Sequence, residues 1–552
     1  MITYRELRDL EILVLQELNK TGQLVTDIST IIQVDVNQFA GIEYDEFAVR
    51  VAEVAMWLID HQMNIKVSNT FGQYFVRLPL KKAAKIVNGN ALRIDWEEVI
   101  SKEKLNFILG NPPFVGHHYQ NFDQKEDLKL VLDKIIGSGV MDYVSAWFYK
   151  SAQFIQSTKI KVGLVATNSI SQGEQSSILW NVLINEFNIS IHFAHRTFKW
   201  SNEAKGNAAV HCVIIGFGLE DIDNKRIFDY ADIKGEPTER RVKNINPYLT
   251  EGNDLIILKK IKPICNVPEM LKGSQPTDGG NLLMTNEEKE EYLKQEPDGE
   301  KFIKPFISAD EFLNNKRRWC FWLTEIQPKE LKQLPLLLKR VEAVKEMRLA
   351  SSKPATVKWA QFPTLFTENR QPETDYVLVP RVSSENRKYI PMGFFNKNII
   401  VSDTCIAIPS GNIYHFGILT SEMHMTWVKY VCGRLKSDYR YSNTIVYNNY
   451  PFPENITDKQ KQTVETCAQA VLDTRVKYPD SSLADLYDPL TMPPDLLKAH
   501  QKLDKAVDLC YRPQPFTSEL NRIEYLFELY EKLTAPLLPT SKQKPAKRKN
   551  PQ

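Results

Sequence analysis

The chain has 552 residues, room for roughly two to four domains at about 100–200 residues each. Its 43% hydrophobic content supports sizeable cores, and 70 basic against 68 acidic residues leave a net charge of +2. That balance excludes a uniformly basic, histone-like protein but not an enzyme with one basic cleft. The seven cysteines (212, 265, 320, 405, 432, 467 and 510) are scattered without a Cys-x-x-Cys, so no zinc ribbon, bound metal or disulfide framework is expected. A reducing, cytoplasmic compartment fits. No apolar run approaches the ~20 residues of a membrane span, and the charged N-terminal stretch has no signal-peptide core.

Residues 3–20 read as a helix, with Leu7, Leu10, Val14 and Leu18 at helical spacing. A short strand follows, Phe39-Ala-Gly-Ile-Glu43, then an amphipathic helix with Phe47, Val51, Val54, Ala55 and Leu58 on one stripe. Residues 91–95 predict a strand ending at Asp95, and residues 105–110 a buried strand running into Asn111. A helix near 142–157, a strand over 161–167 leading to Asn168, and strands near 189–195 and 208–217 complete the section. Strands separated by helices predict an α/β layer with a mostly parallel sheet. In such sheets a ligand lies at the carboxyl ends of the strands, so Glu43, Asp95 and Asn111 should converge on one crevice.

Beyond about residue 225 prolines and turns become frequent and basic residues interleave with aromatic ones. The segments 316–322, 381–389 and 433–441 have this character, whereas 284–300 is an acidic helical stretch. Residues 456–535 read as helical. The tail 541–552, with five Lys/Arg and two Pro, is expected to be disordered. The divisions are 1–225 for the α/β layer, 226–455 for a mixed α+β domain, 456–540 for a helical segment and 541–552 for the tail.

Residues 107–114 read Phe-Ile-Leu-Gly-Asn-Pro-Pro-Phe. An exocyclic amine is a poor nucleophile because its lone pair is delocalised into the ring. Two acceptors aimed at the amine hydrogens favour a more pyramidal, more available nitrogen. The Asn111 side-chain oxygen and the Pro112 carbonyl can supply them. Consecutive prolines fix φ near −65° and remove two donors, so Pro112 and Pro113 make a stiff turn that presents acceptors. Phe114 can stack on a base. This is catalysis by orientation and charge placement; in a duplex it requires that the base be flipped out. Phe198 or Trp200 could form the second face of a base-stacking clamp.

These residues resemble the gamma-type adenine-N6 DNA methyltransferases, and more closely the MmeI-like (Type IIL) restriction–modification family. The carriers are Gly41-Ile-Glu-Tyr-Asp-Glu-Phe-Ala48, Val54-Ala-Met-Trp-Leu58, Asn111-Pro-Pro-Phe-Val-Gly116, Phe198-Lys-Trp-Ser-Asn-Glu-Ala204, Arg318-Trp-Cys320 and Gly433-Arg-Leu-Lys-Ser-Asp438. The resemblance implies S-adenosyl-L-methionine as methyl donor, with Glu43 at its ribose hydroxyls and Asp95 at its adenine amine. It also implies a Rossmann-like methyltransferase sheet followed by a recognition region over about 245–455 that reads double-stranded DNA. Arg387, Arg434, Lys436 and Arg440 are the candidate DNA contacts.

One departure matters. The family's Gly-rich cofactor loop, of the Asp-Pro-x-x-Gly-x-Gly type, is not found before Glu43, nor is a nuclease motif. The family's first strand lies between those ending at Glu43 and Asn111. Its absence predicts two bare backbone edges, an association hazard, and weak cofactor binding by the chain alone. Either a separate N-terminal polypeptide supplies that half, or the chain is a truncated product. The alternatives are a protein or small-molecule amine methyltransferase, and a non-catalytic DNA-binding specificity subunit. A cytosine-carbon methyltransferase would need a nucleophilic Cys, commonly after Pro, and no Pro-Cys occurs.

Overall fold

In a computed structural model, residues 1–20, 28–73, 75, 83–200, 210–232, 234–435 and 437–535 are described. The basic tail, Lys436 and the Trp200 side chain lie outside the described set. The chain divides into two compact units. The first comprises residues 1–166, 182–193 and 214–223, and the second 167–181, 194–213 and 224–552.

In the first unit, helices α1 (Ile2–Lys20) and α2 (Glu46–Phe71) share a core built on Tyr4, Ile12, Met56, Ile59, Met63 and Val67. Asp45 caps α2 by accepting from the Ala48 N–H at 3.0 Å. Arg8 is fully buried and donates to Asn64 Oδ1 and Glu11 Oε2, each at 3.0 Å. The stripes marked by the sequence do not enter this core. Leu7, Leu10, Val14 and Leu18 are exposed, as are Phe47, Val51, Val54 and Leu58, Phe47 by 77%. The inward face of α1 is instead the i, i+4 row Tyr4, Arg8, Ile12, whose polar members bond partners distant in sequence, Tyr4 to Asp60 and Arg8 to Asn64.

Strand β1 (Ala40–Glu43) pairs in parallel with β2 (Lys85–Asn88), Glu43 opposite Asn88. The strand expected over 91–95 is a turn, and the pairing strand lies at 85–88. Gly89 adopts φ +153°, Asn90 Oδ1 accepts from the Leu92 N–H, and the Asn90 carbonyl accepts from the Arg93 and Ile94 N–H groups. Lys150 Nζ then donates to the carbonyls of Ala91, Leu92 and Ile94 at 2.6–2.9 Å. Asn-centred turn chemistry overrides the strand preference of Leu92 and Ile94.

Helix α3 (Trp96–Val99) precedes β3 (Phe107–Gly110), which pairs in parallel with β4 (Lys161–Thr167). Between these two strands lie α4 (Phe122–Val131) and α5 (Ser145–Phe154). Helix α6 (Gly173–Asn185) follows, then β5 (Ser190–Trp200), β6 (Val210–Gly218), β7 (Lys225–Asp229) and β8 (Thr238–Val242). The six-stranded sheet has the order β3-β4-β6-β5-β7-β8, and β1-β2 is a sheet of its own. Among the described residues, β3 bonds no strand except β4, and β1 none except β2. The Rossmann-like sheet is therefore interrupted between β1 and β3, and Phe107 and Leu109 of β3 are each 59% exposed.

The second unit carries the mixed α+β part. One four-stranded sheet runs Gly393–Phe395, Tyr376–Pro380, Cys405–Pro409, Leu271–Lys272, and another Leu283–Met284, Arg318–Phe321, Ile303–Ile307, Ile400–Val401. A small sheet joins Val382–Ser383 to the hairpin formed by Asp438–Arg440 and Gly433–Leu435. C-terminal helices Asp458–Val476, Pro494–Tyr511 and Glu519–Thr534 share one core with the helix Glu422–Val431 and the first of these sheets. All seven cysteines are free, and no metal-holding cluster or membrane-length apolar helix occurs among the described residues.

Candidate active site

Where the sheet is interrupted, the first unit holds a cavity of about 990 Å³, at the upper end of the roughly 300–1,000 Å³ usual for small-molecule sites. Its walls include β1 as far as Glu43, the turn 89–93, and β3 continuing through Asn111, Pro112 and Pro113. Glu43 is exposed at the end of its strand. Its Oε1 accepts from the Tyr44 N–H at 2.8 Å and the Asp45 N–H at 3.2 Å, which fixes the carboxylate in place. Asn88, at the end of β2, donates to the carbonyl of Tyr44 at 3.0 Å and steadies the same corner.

Asn111 is exposed, and among the described residues nothing bonds its side-chain amide, so its acceptor is free for a ligand. Pro112 is buried and anchors the turn, while Phe114 is half-buried and is not part of the cavity wall. The segment is latched from behind. The Tyr143 N–H donates to the Val115 carbonyl at 2.9 Å, and the His117 N–H to Asp142 Oδ1 at 3.1 Å.

Asp95 is exposed and caps α3, accepting from the Glu97 N–H at 2.9 Å; its neighbours Ala91, Arg93 and Trp96, not Asp95 itself, line the cavity. Phe198 stacks against Tyr230, with ring centroids 5.3 Å apart.

Sequence reasoning missed Asp127. This buried carboxylate accepts from Arg93 Nε at 2.6 Å, the Tyr143 hydroxyl at 2.6 Å and Asn90 Nδ2 at 2.8 Å, and all four residues line the cavity. Burial opposes its ionisation, but the bonds from Tyr143, Arg93 and Asn90 outweigh that and hold its carboxyl below the ordinary 3.8. Burial and the bond to Asp127 push the Tyr143 phenol up. Asp127 thereby ties the turn 89–93 to the segment that latches Asn111-Pro-Pro-Phe. It sits in a charged helical stretch with no motif around it, so no local signal marked it.

In the second unit, Arg387 is half-buried; burial pushes its guanidinium down, opposed by Asp438 and Asp488. Arg434 is half-buried over Tyr439, and Arg440 is exposed on the same hairpin. Trp319 and Trp322 pack against a hydrophobic core, the alternative to a DNA-contact role.

Three family descriptions match in succession: "MmeI, DNA-methyltransferase domain" over residues 1–229, "MmeI, target recognition domain" over 251–454 and "MmeI, C-terminal domain" over 456–538. The solved structure of the Type IIL restriction–modification enzyme MmeI in complex with DNA is 50% identical. It superposes with a TM-score of 0.83 over 97% of this chain and 71% of that one. The chain belongs to the MmeI family. DNA methyltransferase A of Bacillus subtilis (strain 168) is 40% identical over 538 residues, which is 97% of this chain. The chain spans 60% of that relative's length. Within the MmeI arrangement, the interrupted sheet and its cavity belong to the methyltransferase domain, and the hairpin carrying Arg434 and Arg440 to the recognition domain.

Proposed function

We propose that this region transfers a methyl group from S-adenosyl-L-methionine to the N6 amine of a flipped-out adenine in double-stranded DNA, as the modification part of a restriction–modification system. The observation that carries the reading is Asn111-Pro-Pro, unencumbered at the rim of a ligand-sized cavity. The Asn111 side-chain oxygen and the Pro112 carbonyl accept the two amine hydrogens and make the nitrogen lone pair available. Phe114 stacks on the base. The cofactor, when bound, supplies the electrophilic methyl group. Glu43 faces its ribose hydroxyls, and the turn 89–95, closing on Asp95, its adenine amine.

The residues present fit part of the cofactor. Glu43 and the turn 89–93 line the cavity, whereas among the described residues β1 and β3 each pair on one edge alone. The reading therefore includes a strand from outside these 552 residues, in a longer chain or a separate N-terminal polypeptide, that fills the slot and brings the Gly-rich turn. Without it the region acts as a DNA-binding specificity module, the second reading that the broken sheet favours.

The test incubates the region, joined to a strand-and-Gly-turn segment, with S-adenosyl-L-methionine and genomic DNA, followed by nucleoside digestion and mass spectrometry. N6-methyladenine is expected, and Asn111→Ala should lower its rate by about 100-fold or more, as for loss of one preorganised polar group, with DNA affinity within about twofold. Methylated cytosine without methyladenine would contradict the assignment.

A further inference from the structure

A second cavity, of about 220 Å³, lies wholly within the second unit and has a polar wall that includes Gln172, Arg196, Lys429, Arg434 and Glu519. Most of its charges cancel locally. Arg196 pairs with Asp229 at 2.7 Å, Lys429 with Glu519, and His211 faces Glu385 at 3.5 Å. Arg434 differs: no carboxylate among the described residues lies within ion-pair distance of it. Its guanidinium stacks on the Tyr439 ring at 3.8 Å, Nη1 donates to the Ser437 carbonyl at 3.0 Å and Nε to Gln172 Oε1 at 3.3 Å. The side chain is thus held flat by neutral partners, with no ion pair among the described residues.

Gln172 is itself fixed. Its Nε2 donates to the Lys429 carbonyl at 3.3 Å. At the next residue, Gly173 (φ +69°), an added Cβ would stand 2.7 Å from the Gly433 Cα. The loop after β4 and the hairpin 433–440 therefore meet backbone to backbone, and this meeting sets the guanidinium. A planar, pre-set guanidinium in a small polar cavity suits a tetrahedral oxyanion better than a base edge, which needs an open groove-facing fork.

We propose that this cavity takes one backbone phosphodiester of duplex DNA, with Arg434 as the contact and Gln172 as its positioning residue. The proposal rests on the DNA-modifying reading above and adds that Arg434 fixes register without reading sequence. The test is binding of the full chain to two fluorescent 30-base-pair duplexes of unrelated sequence, each over a range of salt. Arg434→Gln should weaken both duplexes by the same factor and lower the slope of log affinity against log salt by about 1. Arg434→Lys, which keeps the charge and covers the case in which the glutamine variant does not fold, should keep the wild-type slope at reduced affinity. An unchanged slope in Arg434→Gln, a loss confined to one duplex, or a reduced slope in Arg434→Lys overturns the phosphodiester pocket alone. Thermal stabilisation by inorganic phosphate that Arg434→Gln abolishes, with the DNA slope intact, would assign the cavity to free phosphate and also overturn it. A wild-type chain that binds no duplex at low salt overturns the DNA reading as well.

Discussion

At Asn111 the turn was legible because it is local: an apolar strand followed by an amide and two prolines predicts a turn presenting acceptors, and the chemistry assigned to it is the proposed reading. Asp127 was not legible, because its role arises from three donors 16 to 37 positions away in the chain. Its folded carboxyl sits below the ordinary value, so its stabilisation is full above pH 3.8 and is lost as the pH falls through the folded value. Asp127→Asn should cost about 2 kcal/mol near neutrality, the scale of hydrogen bonds to a charged group. The deficit relative to wild type should shrink as the pH drops below 3.8. Denaturant titrations between pH 3 and 7 measure both; a pH-independent deficit contradicts the assigned network.

At the scale of elements, helices α1, α2 and α5 and strands β1, β3, β4, β5 and β6 followed from periodicity, whereas two readings turned on competing physics. The strand expected over 91–95 gave way to a turn because Asn90 offers both its side chain and its carbonyl to the next residues. The apolar stripes of α1 and α2 were correctly identified as apolar but face outward, because i, i+4 rows with buried polar members took the inner face. Periodicity reports that a helix has an apolar face, not which neighbour covers it. The loop–hairpin junction is equally invisible in sequence, since Gly173 and Gly433 are 260 positions apart. Gly173→Ala should cost at least about 2 kcal/mol, from its left-handed φ and the approach to Gly433 together. A melting curve unchanged from wild type would contradict that close approach.

At the scale of the molecule, two features of the first unit matter. Among the described residues, β1 pairs with no strand except β2 and β3 with none except β4, and the helices flanking β1 expose Leu10, Val14, Phe47 and Val54. Unpaired strand edges and exposed apolar side chains both mark surfaces prone to association. The interruption was foreseeable from the missing Gly-rich motif. The exposed stripes were not, since they required knowing which helix faces are used inside. On the proposed reading, Asn111 belongs to an acceptor half and the cofactor half draws on added chain. Calorimetric titration of these 552 residues with S-adenosyl-L-methionine tests this separation most directly. The account predicts no saturable binding below about 1 mM, a standard free energy weaker than about −4 kcal/mol, and recovery when a strand-and-Gly-turn segment is joined to the chain. Micromolar binding by the chain alone would contradict it.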